Sequence, residues 1–563
     1  MKLIKKAVNY TVLKAGSAYG KICRNKLRKK SEDIDKVSEK LLLDLVWRNR
    51  NTEYGKKYDF AGIKSVEDYQ DKVPLSSYDD YREYINRIAE NGEQGLLTSD
   101  KVVFFAKTSG STGETKRIPV VKKATKPYTE TVVAYINIIK TEMKKRGIHC
   151  GKGLITAEME SNPTESNIRE GLISAYTLES GKAVIPIISC IPKEIFEYSD
   201  FMDMKYLKAF YALADRDLVF MAAVFMSNIT DMMTYIFENK DILIADIARG
   251  RINKDIEMPE ELRTRLNKHL EPDPKRAEEL NSLLSDTDHK GIMKRIWKKL
   301  SVLIGIGTGE FECFANRLRE LCGDTVTFYY ETYSSSEALI ANAADVESDD
   351  YLMLTDSGFF EFIPIDEEVE RPLLRHQLEV GKLYEIVITN LSGLYRYRIL
   401  DVIRVIGFQG KNPLLHFAYR KNQVINITGV KLTSEQISEA VRSFENKTGL
   451  HLSDYTLYPD TEQSPWRLEL FLELQEKLTK QQRSEYADLF DIELSSMNPE
   501  HGRMLKIGET SQTVIYQVKP KTFAEYRELR VKQGASQNQV KTMRVIRDKE
   551  LLKLFTDSIV SYD

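Results

Sequence analysis

Between residues 301 and 410 the chain changes from helical to strand-like patterning, so any fold it adopts must accommodate both kinds of element. This region contains the β-rich runs SVLIGIGTG, VTFYYETYSSSEALIAN, GFFEFIP, KLYEIVITN and LYRYRILDVIRVIGF, separated by turn residues. The preceding chain predicts helices at 35–95, 202–250 and 259–300, and strand-like segments at 101–106, 153–157 and 184–189. Helical blocks followed by a run of strands predict a large mixed α/β domain.

A second, smaller domain is predicted beyond this region. After Gly410 the segment QGKNP is typical of a turn that leads towards a linker, and the rest of the chain alternates strand and helix patterns. A chain of 563 residues is also too long for one typical core. We therefore predict an N-terminal domain at 1–418 and a C-terminal α+β domain at 419–563.

Charge and cysteine content exclude several classes of protein. The formal net charge is −2, which gives no case for a nucleic-acid binder. The five cysteines form no CxxC pair and the seven histidines no HExxH, which disfavours a disulfide framework and a zinc site. No apolar run reaches transmembrane length. A reducing compartment, the cytoplasm, fits these features best.

The N-terminal segment 1–30 is strongly basic. It contains ten Lys and Arg residues and no Asp or Glu, and its apolar residues are interspersed with lysines. This differs from a secretory signal, which has a compact apolar core. One interpretation is a basic amphipathic helix that makes weak peripheral contact with an anionic membrane. The alternative, which we favour, is a solvated helix that leads into the fold.

The stretch AKTSGSTGETKRIPV at 106–120 places small donors side by side after a strand-like run. Glycines allow close backbone approach to a ligand, and consecutive N–H groups can form an anion site. The spacing Gly110-x-x-Gly113-x-x-Lys116 is neither a Walker P-loop nor a kinase glycine-rich loop. An ordinary polar loop is the alternative.

Two further motifs follow in the β-rich region. In YYETYSSSEALIA, Tyr333 precedes three serines and Glu337; alone, this could be a turn with a carboxylate at a helix N-terminus. In SGLYRYRILDVIRV, Asp401 lies within an otherwise apolar strand pattern, where a charged residue usually has a partner. Arg398 or Arg404 could pair with it structurally. Together with the loop, the three motifs offer what an ATP site needs: phosphate donors, an acid for Mg²⁺, an aromatic surface for adenine and an acceptor for ribose hydroxyls.

The motifs resemble a known family. TSGSTGETK is similar to the phosphate loop of the adenylate-forming superfamily (acyl-CoA synthetases, adenylation domains, luciferases), and YSSSE matches its tyrosine–x–x–hydroxyl–Glu motif. ETYSSSEA, GFFEFIP, YEIVITNLSGLYRYRILDVIRVIGF and GASQNQVKTMRVI resemble, more narrowly, the auxin-responsive Gretchen Hagen family of acyl acid–amido synthetases. The similarity is collinear over nearly the whole chain beyond the basic N-terminus.

The resemblance implies a large adenylate-forming domain with mixed sheets and a β-barrel-like part, followed by a mobile C-terminal lid. It also implies roles for individual residues. The implied phosphate loop comprises Thr108, Ser109, Gly110, Ser111, Thr112, Gly113 and Lys116. The implied remainder of the site comprises Gly307, Thr308, Gly309 and Tyr333 at adenine, Ser335 as a further nucleotide-binding residue, Ser336 at the α-phosphate, Glu337 on Mg²⁺, Asp401 at the ribose, Arg420 at the hinge and Lys541 on the lid.

Two positions bear on these implied roles. The family usually has Tyr-Arg-Val-Gly-Asp where this chain has Tyr397-Arg398-Ile399-Leu400-Asp401. Leucine does not take a glycine conformation cheaply, so the substitution bears on the local backbone and on the ribose role of Asp401. The segment of Lys541 is lysine-rich and, without the family match, would be interpreted as a solvated surface.

The function that the resemblance implies is ATP-dependent activation of a carboxylic acid to an acyl-adenylate, followed by transfer of the acyl group to an amino acid amine. AMP and pyrophosphate would be released. Two alternatives remain: an acyl-CoA or other thioester ligase, and a binding protein that kept the fold without catalysis. The motifs contain no evident general base for the amine, and they specify neither the acid nor the acceptor.

Overall fold

The structure is a computed structural model. It describes residues 2–109, 115–156, 161–181, 184–196, 204–268, 270–365, 367, 371–421, 424–427, 430–533, 540 and 542–561. The elements are numbered in chain order.

The helices are α1 (Lys2–Lys30), α2 (Ile34–Asn49), α3 (Glu53–Lys57), α4 (Val66–Lys72), α5 (Asp79–Asn91), α6 (Thr125–Lys145), α7 (Ile173–Ser180), α8 (Ile185–Ile188), α9 (Lys193–Phe196), α10 (Met204–Ala214), α11 (Met226–Glu238), α12 (Lys240–Arg249), α13 (Glu260–Asn267), α14 (Pro274–Leu284), α15 (Ile292–Ile296), α16 (Glu312–Cys322), α17 (Ser434–Thr448), α18 (Lys480–Met497), α19 (Pro499–Ile507), α20 (Thr522–Lys532) and α21 (Lys549–Asp557).

The strands are β1 (Val102–Ser109), β2 (Thr115–Val121), β3 (Lys152–Ile155), β4 (Ser161–Pro163), β5 (Arg169–Gly171), β6 (Leu218–Phe225), β7 (Val302–Ile306), β8 (Thr327–Tyr329), β9 (Thr332–Ser334), β10 (Leu339–Ala343), β11 (Tyr351–Met353), β12 (Gly358–Pro364), β13 (Leu383–Asn390), β14 (Tyr397–Gln409), β15 (Asn412–Arg420), β16 (Ile425–Ile427), β17 (Val430–Leu432), β18 (Leu452–Asp460), β19 (Arg467–Leu474) and β20 (Val514–Val518).

A parallel sheet of order β3-β6-β7-β8 lies in the first part of the chain. Its strand β6 corrects the predicted continuous helical stretch at 202–250. The segment LVFMAAVF is apolar throughout and almost wholly buried, as expected for a parallel strand covered on both faces. The strand-like segment predicted at 184–189 is also wrong, because Ile185–Ile188 forms one turn of helix.

The predicted mixed α/β class is confirmed, and the structure contains several sheets. The largest has seven strands in the order β12-β13-β14-β15-β11-β10-β9, and a second sheet has the order β2-β1-β5-β4. In the described part of the chain the seven-stranded sheet is open, with β12 and β9 at its edges. The expected β-barrel-like part is therefore an open sheet here.

Helix α1 is packed against the body of the protein along one of its faces. It lies along α6, where a Cβ added to Gly20 would be 2.1 Å from the carbonyl oxygen of Val133. The Asn9 amide donates hydrogen bonds of 3.0 Å to the carbonyl oxygens of Gly151 and Ile187. The segment 1–30 is thus a helix whose inner face belongs to the fold.

The chain forms two compact units, 1–306 with 317–416 (unit 1) and 307–316 with 417–563 (unit 2). Unit 2 contains the sheet β18-β19-β20 and a core that includes Phe444, Leu457, Leu470 and Phe490. The division at 418/419 and the mobility of a lid stay predictions. None of the helices in the described part of the chain combines the length and the apolarity that crossing a bilayer requires.

Candidate active site

The second and third sequence motifs meet within unit 1. The Tyr333 hydroxyl on β9 donates a 3.1 Å hydrogen bond to the Asp401 carboxylate on β14. Both side chains are buried, with Asp401 only 2% exposed. Arg398 instead pairs with Glu385 through two 2.7 Å contacts, and Arg404 donates to the carbonyl of Gly381. The predicted carboxylate and aromatic ring are therefore neighbours.

A bulge in β14 presents Asp401. Glu385 of β13 pairs with Val402 of β14, and Val387 pairs with Arg398. These two pairs are two residues apart on β13 and four residues apart on β14, so β14 contains two extra residues here. Leu400 lies within this bulge at a φ of 64°, in the left-handed region. Bulges of this kind re-aim a side chain and occur next to active sites. The chain thus keeps, with a leucine, a backbone conformation that normally favours glycine.

The serine–glutamate motif forms a tight turn at the wall of a cavity. The Ser335 N–H donates to the Ala338 carbonyl at 2.9 Å, which closes the turn around Ser336 and Glu337. The polar residues that line the cavity are Tyr128, Ser336, Glu337, Ser357, Asn390 and Ser392. Among the described residues, Tyr333, Asp401, Thr108 and Lys116 are not part of its wall. Ser336 and Glu337 therefore share a cavity with residues outside the predicted set.

Hydrogen bonds from Asn390, the last residue of β13, and from the loop that follows fix this turn. The Asn390 amide donates to the Glu337 carbonyl at 2.8 Å, and its own oxygen accepts from the N–H groups of Ser392 and Leu394. The Ser392 hydroxyl in turn accepts from the N–H of Val121, at the end of β2. Asn390 thereby ties the serine–glutamate turn to the hairpin that brackets the predicted phosphate loop.

Two polar groups in the cavity are available to a ligand. The Ser357 hydroxyl belongs to a residue only 8% exposed, and within the described chain it has no hydrogen-bond partner. A buried hydroxyl without a partner is costly, so a ligand that bonds to it would be favoured. The Glu337 carboxylate has no ion-pair partner among the described residues. Desolvation, with the Glu337 charge as the smaller cause, raises the pKa of Tyr128 well above its ordinary value.

Glu331 is a further titratable group within the second motif. It precedes β9 at a φ of 56°, and its backbone carbonyl accepts from the N–H of Ala343. Burial raises the pKa of Glu331 to about 8, and a hydrogen bond with Tyr135 offsets part of this effect. The carboxyl group therefore stays protonated at neutral pH.

The predicted phosphate loop is bracketed by a hairpin. Strands β1 and β2 pair antiparallel, with Thr108 opposite Lys116 and Ser109 opposite Thr115. The ammonium of Lys116 lies 5.3 Å from the centre of the Tyr78 ring. The remaining loop residues, Gly110, Ser111, Thr112 and Gly113, lie outside the described residues.

The other predicted residues fall in unit 2. Gly307, Thr308 and Gly309 follow the carboxyl end of β7, and Gly309 has a φ of 57°. Arg420 is the last residue of β15. Lys541 lies outside the described residues. Its neighbour Arg544 is buried, donates to the Asp454 carboxylate at 2.6 Å, and pairs through its backbone carbonyl with the N–H of Leu457 on β18.

The sequence motifs did not reveal Tyr128, Ser357, Asn390 or Glu331. Tyr128 and Ser357 come from α6 and from the segment next to β12, which the chain brings to the cavity only by folding. Asn390 and Glu331 lie inside quoted runs, YEIVITNLSG and YYETYSSSE, as polar residues in β-rich sequence. A polar residue within β-rich sequence is the signal by which sequence reasoning could have found Asn390 and Glu331.

Three consecutive family domains match the chain. The GH3 family N-terminal domain matches residues 23–327, the GH3 family central domain 351–420, and the GH3 family C-terminal domain 435–550. The three matches follow one another in chain order, and the third includes the segment of Lys541. The second motif, with Tyr333, Ser336 and Glu337, lies between the first two matches.

Curated relatives span almost the full length. A putative indole-3-acetic acid-amido synthetase of Arabidopsis thaliana, GH3.9, is 27% identical over 552 residues, which cover 91% of this chain and 91% of the relative. The 4-substituted benzoates-glutamate ligase GH3.12 of the same plant is 24% identical, covering 95% and 97%.

Solved structures share the fold. The GH3.15 acyl acid amido synthetase superposes with a TM-score of 0.84 at 22% identity, covering 95% of this chain and 96% of that one. A 2-hydroxyisobutyryl-CoA ligase in complex with R3-HIB-AMP gives a TM-score of 0.50 at 12% identity, covering 94% and 92%. Because the N-terminal family domain alone matches more than half of the 563 residues, and the other two follow in order, the chain belongs to the GH3 family.

Proposed function

We propose that this chain activates a carboxylic acid with ATP and transfers the acyl group to an amino acid amine. Membership of the GH3 family, with amido-synthetase relatives along nine-tenths of its length, makes the chain a ligase of this type. The observation in the site that carries the proposal is the hydrogen bond between Tyr333 and Asp401, which joins two separated motifs at the bulge of β14.

In the first step, the substrate carboxylate attacks the α-phosphate of ATP and pyrophosphate leaves. A carboxylate is a poor electrophile, and the acyl-adenylate gives it AMP as a leaving group. Such a step depends mainly on positioning and on stabilising the charge that grows around the phosphate. We assign the phosphate to the loop at 108–116 and to Ser336, the adenine to Tyr333 and Gly307–Gly309, and the ribose hydroxyls to Asp401.

Glu337 is the residue that we propose to hold Mg²⁺. Its carboxylate has no ion-pair partner among the described residues, and Mg²⁺ is usually bound by one or two carboxylates together with substrate phosphates. When bound there, the ion would neutralise charge on the phosphates. Among the described residues the one cluster of three potential ligands, Asp349, Asp350 and His416, does not include Glu337. A single protein carboxylate thus fits a nucleotide-borne metal.

In the second step, the amine attacks the acyl carbon and expels AMP. We propose that the C-terminal unit acts as a lid, which brings Lys541 to the site for the first step and removes it for the second. Arg420 is assigned to the hinge between these states. The amine must lose a proton on the way, and the group that accepts it is not among the residues assigned here.

The cavity beside Glu337 is lined mostly by apolar residues. They are Pro119, Val120, Ala124, Pro127, Ile173, Ala338, Leu339 and Leu391. The unpartnered Ser357 hydroxyl supplies one directional contact inside this wall. An apolar surface with a few placed polar groups is typical of a ligand site. We therefore propose that Ser357 hydrogen-bonds a substrate in this cavity.

Pyrophosphate–ATP exchange that depends on an added carboxylic acid tests the proposal. The full chain would be incubated with ATP, Mg²⁺ and mixed acids, then with amino acids or with coenzyme A, and the products identified by mass spectrometry. Amides and AMP are expected. Thioester without amide would establish the thioester ligase, and absence of exchange with every acid would favour a binding protein that kept the fold.

The Glu337→Gln variant sharpens this experiment. Exchange is expected to fall by about 10²- to 10³-fold, as for the loss of one charge-stabilising group, while the thermal unfolding temperature is unchanged. Glu312→Gln, which alters an acid paired with Arg442 in unit 2, is the control. Equal exchange by Glu337→Gln and the control would reject the metal-holding role.

The remaining partners and the compartment are also proposals. The five cysteines are free thiols, in keeping with a cytoplasmic enzyme. Beyond the small-molecule substrates, we propose weak membrane contact by residues 1–30, which involves a different surface of unit 1.

A further inference from the structure

Helix α1 presents a second apolar face to solvent. Its inner face packs on the body of unit 1 through Asn9 and Leu13, which are 4% and 0% exposed. On the outer face Ile4 is 69% exposed, Val8 44%, Tyr19 48% and Ile22 61%. These four residues follow one another at steps of 4, 11 and 3 residues, which places them on one side of the helix.

The apolar side chains on this face are not required for docking α1. A helix that only leads into a fold needs one apolar stripe, and α1 already buries one against α6. Apolar side chains that share one exposed side of a helix are typical of an interaction surface. We call the residues Ile4, Val8, Tyr19 and Ile22 the outer stripe.

Basic side chains flank the outer stripe. Lys14, Lys21 and Arg28 are exposed, and their spacing of seven residues places them in one row along the helix. None of these three has an ion pair with a described residue, whereas Lys26 and Lys30, on the other flank of the outer stripe, pair with Glu130 and Asp356. The basic row of Lys14, Lys21 and Arg28 therefore carries the uncompensated positive charge.

We propose that the outer stripe of α1 and its basic row bind an anionic membrane surface, with the helix lying in the interface plane. Apolar side chains beside lysines and arginines suit the boundary between acyl chains and negatively charged headgroups. Long basic side chains can extend towards the headgroups while their stems cover apolar surface. The helix would contact lipid without leaving the body of unit 1.

The surface lies largely outside the family domain, which begins at residue 23. Of the residues that carry the proposal, only Arg28 falls within that match. The proposed membrane contact thus involves residues that lie mostly outside the matched family domain, and it is independent of the proposed reaction. The enzyme can therefore form amides in solution whether or not it binds vesicles.

Vesicle co-sedimentation of the full chain tests the proposal. We expect binding to vesicles of phosphatidylcholine mixed with phosphatidylglycerol, little binding to phosphatidylcholine alone, and weaker binding at high salt. Absence of binding to the mixed vesicles, or equal binding to the neutral ones, would overturn it.

Two sets of variants separate the contribution of the basic row to membrane binding from that of the outer stripe. The triple variant Lys14→Ser, Lys21→Ser, Arg28→Ser should weaken partitioning by about a hundredfold, at roughly 1 kcal/mol for each basic residue. Ile4→Glu with Ile22→Glu should abolish it. The matched control is Ile492→Glu with Ile507→Glu, which alters isoleucines 62% and 56% exposed in unit 2.

Amide formation and the unfolding temperature are measured in parallel for each variant. Both should be unchanged, because the inner face of α1 is intact. If the stripe variant and the control lost binding equally, the membrane surface would be wrong. If light scattering showed a dimer that the stripe variant dissociates while no vesicle binds, the outer stripe would be a contact between two copies.

Discussion

Leu400 holds a left-handed conformation next to the carboxylate assigned to ribose. Its φ of 64° lies where L-residues other than glycine, asparagine and aspartate are disfavoured, by about 1–2 kcal/mol. The bulge of β14 imposes this conformation, because two extra residues must fit opposite β13. A leucine at this position therefore stores strain that a glycine would not.

We predict that Leu400→Gly lowers the free energy of unfolding by about 1–2 kcal/mol less than a Leu→Gly change at an unstrained strand position of similar burial. Relief of the strained φ offsets the greater chain entropy of glycine. The control is Leu414→Gly, at a half-buried strand position. This change should lower the free energy of unfolding by about 2–4 kcal/mol. Urea unfolding measures both. Equal losses would show that Leu400 is not strained.

Glu331 makes the stability of the protein depend on pH. In the folded state its pKa is raised by burial to about 8, against an ordinary value of 4.5. Between these values the folded chain binds more protons than the unfolded chain, so the free energy of unfolding falls as pH rises. The contribution of Glu331 to the free energy of unfolding is fully present below its ordinary pKa of 4.5 and is lost as the pH rises through 8.

The Glu331→Gln variant should remove this slope. As the pH is raised from the ordinary pKa of glutamate to about 8, the free energy of unfolding of the variant should rise by about 1–3 kcal/mol relative to that of the wild type. The reason is that glutamine does not ionise. Denaturant unfolding at several pH values measures the difference. Glu32→Gln, at an exposed position, should keep the wild-type slope. Parallel profiles for Glu331→Gln and the wild type would contradict the prediction.

At the scale of elements, the pairing of α1 with α6 depends on a close backbone approach. A Cβ at Gly20 would lie 2.1 Å from the carbonyl oxygen of Val133, which is too near for any side chain. In an exposed helix the same Gly→Ala change would stabilise by up to about 1 kcal/mol. The sign of the effect therefore reports whether α1 is docked.

We predict that Gly20→Ala destabilises the protein by about 1–3 kcal/mol, as overpacking does in a closely fitted interior. Thermal unfolding and proteolysis of α1 should both show it. The control is Ala18→Ser on the exposed side of α1, which should change stability by less than about 0.5 kcal/mol. A stabilised Gly20→Ala would mean that α1 is a solvated helix.

The fold was predictable where periodicity was clear and not where the apolar residues were continuous. The helices at 35–95 and the β-rich region at 301–410 are where the patterns indicate. Strand β6 was missed because a fully buried strand and a buried helix both appear as unbroken apolar sequence. The bulge at Leu400 follows from strand register, which one strand's sequence does not contain.

The candidate site was predictable in its motifs and not in their surroundings. Tyr333 and Asp401 do meet, since both motifs run along strands of one sheet. Tyr128, Ser357 and Asn390 reach the cavity from other elements, and a single sequence does not show such distant contacts. The roles of the motif residues themselves stay predictions.

At the scale of the whole molecule, loss of the lysine on the proposed lid should affect the two reaction steps differently. Lys541→Ala is expected to slow pyrophosphate exchange by about a hundredfold, because its charge acts on the phosphate. Amide formation from a pre-formed acyl-adenylate should change little. The control is Lys549→Ala, which alters a lysine in an exposed ion pair with Glu462. The opposite asymmetry would refute the assignment of Lys541.

The docking of α1 has a practical consequence for anyone shortening this protein. A chain trimmed to begin where the family similarity starts, at residue 23, would lose Asn9, Leu13 and Gly20 together. Gly16 now packs against Ile136 of α6, and Gly20 against Val133. Without these contacts this side of α6 would be exposed to water, and the shortened protein would be prone to aggregate during expression.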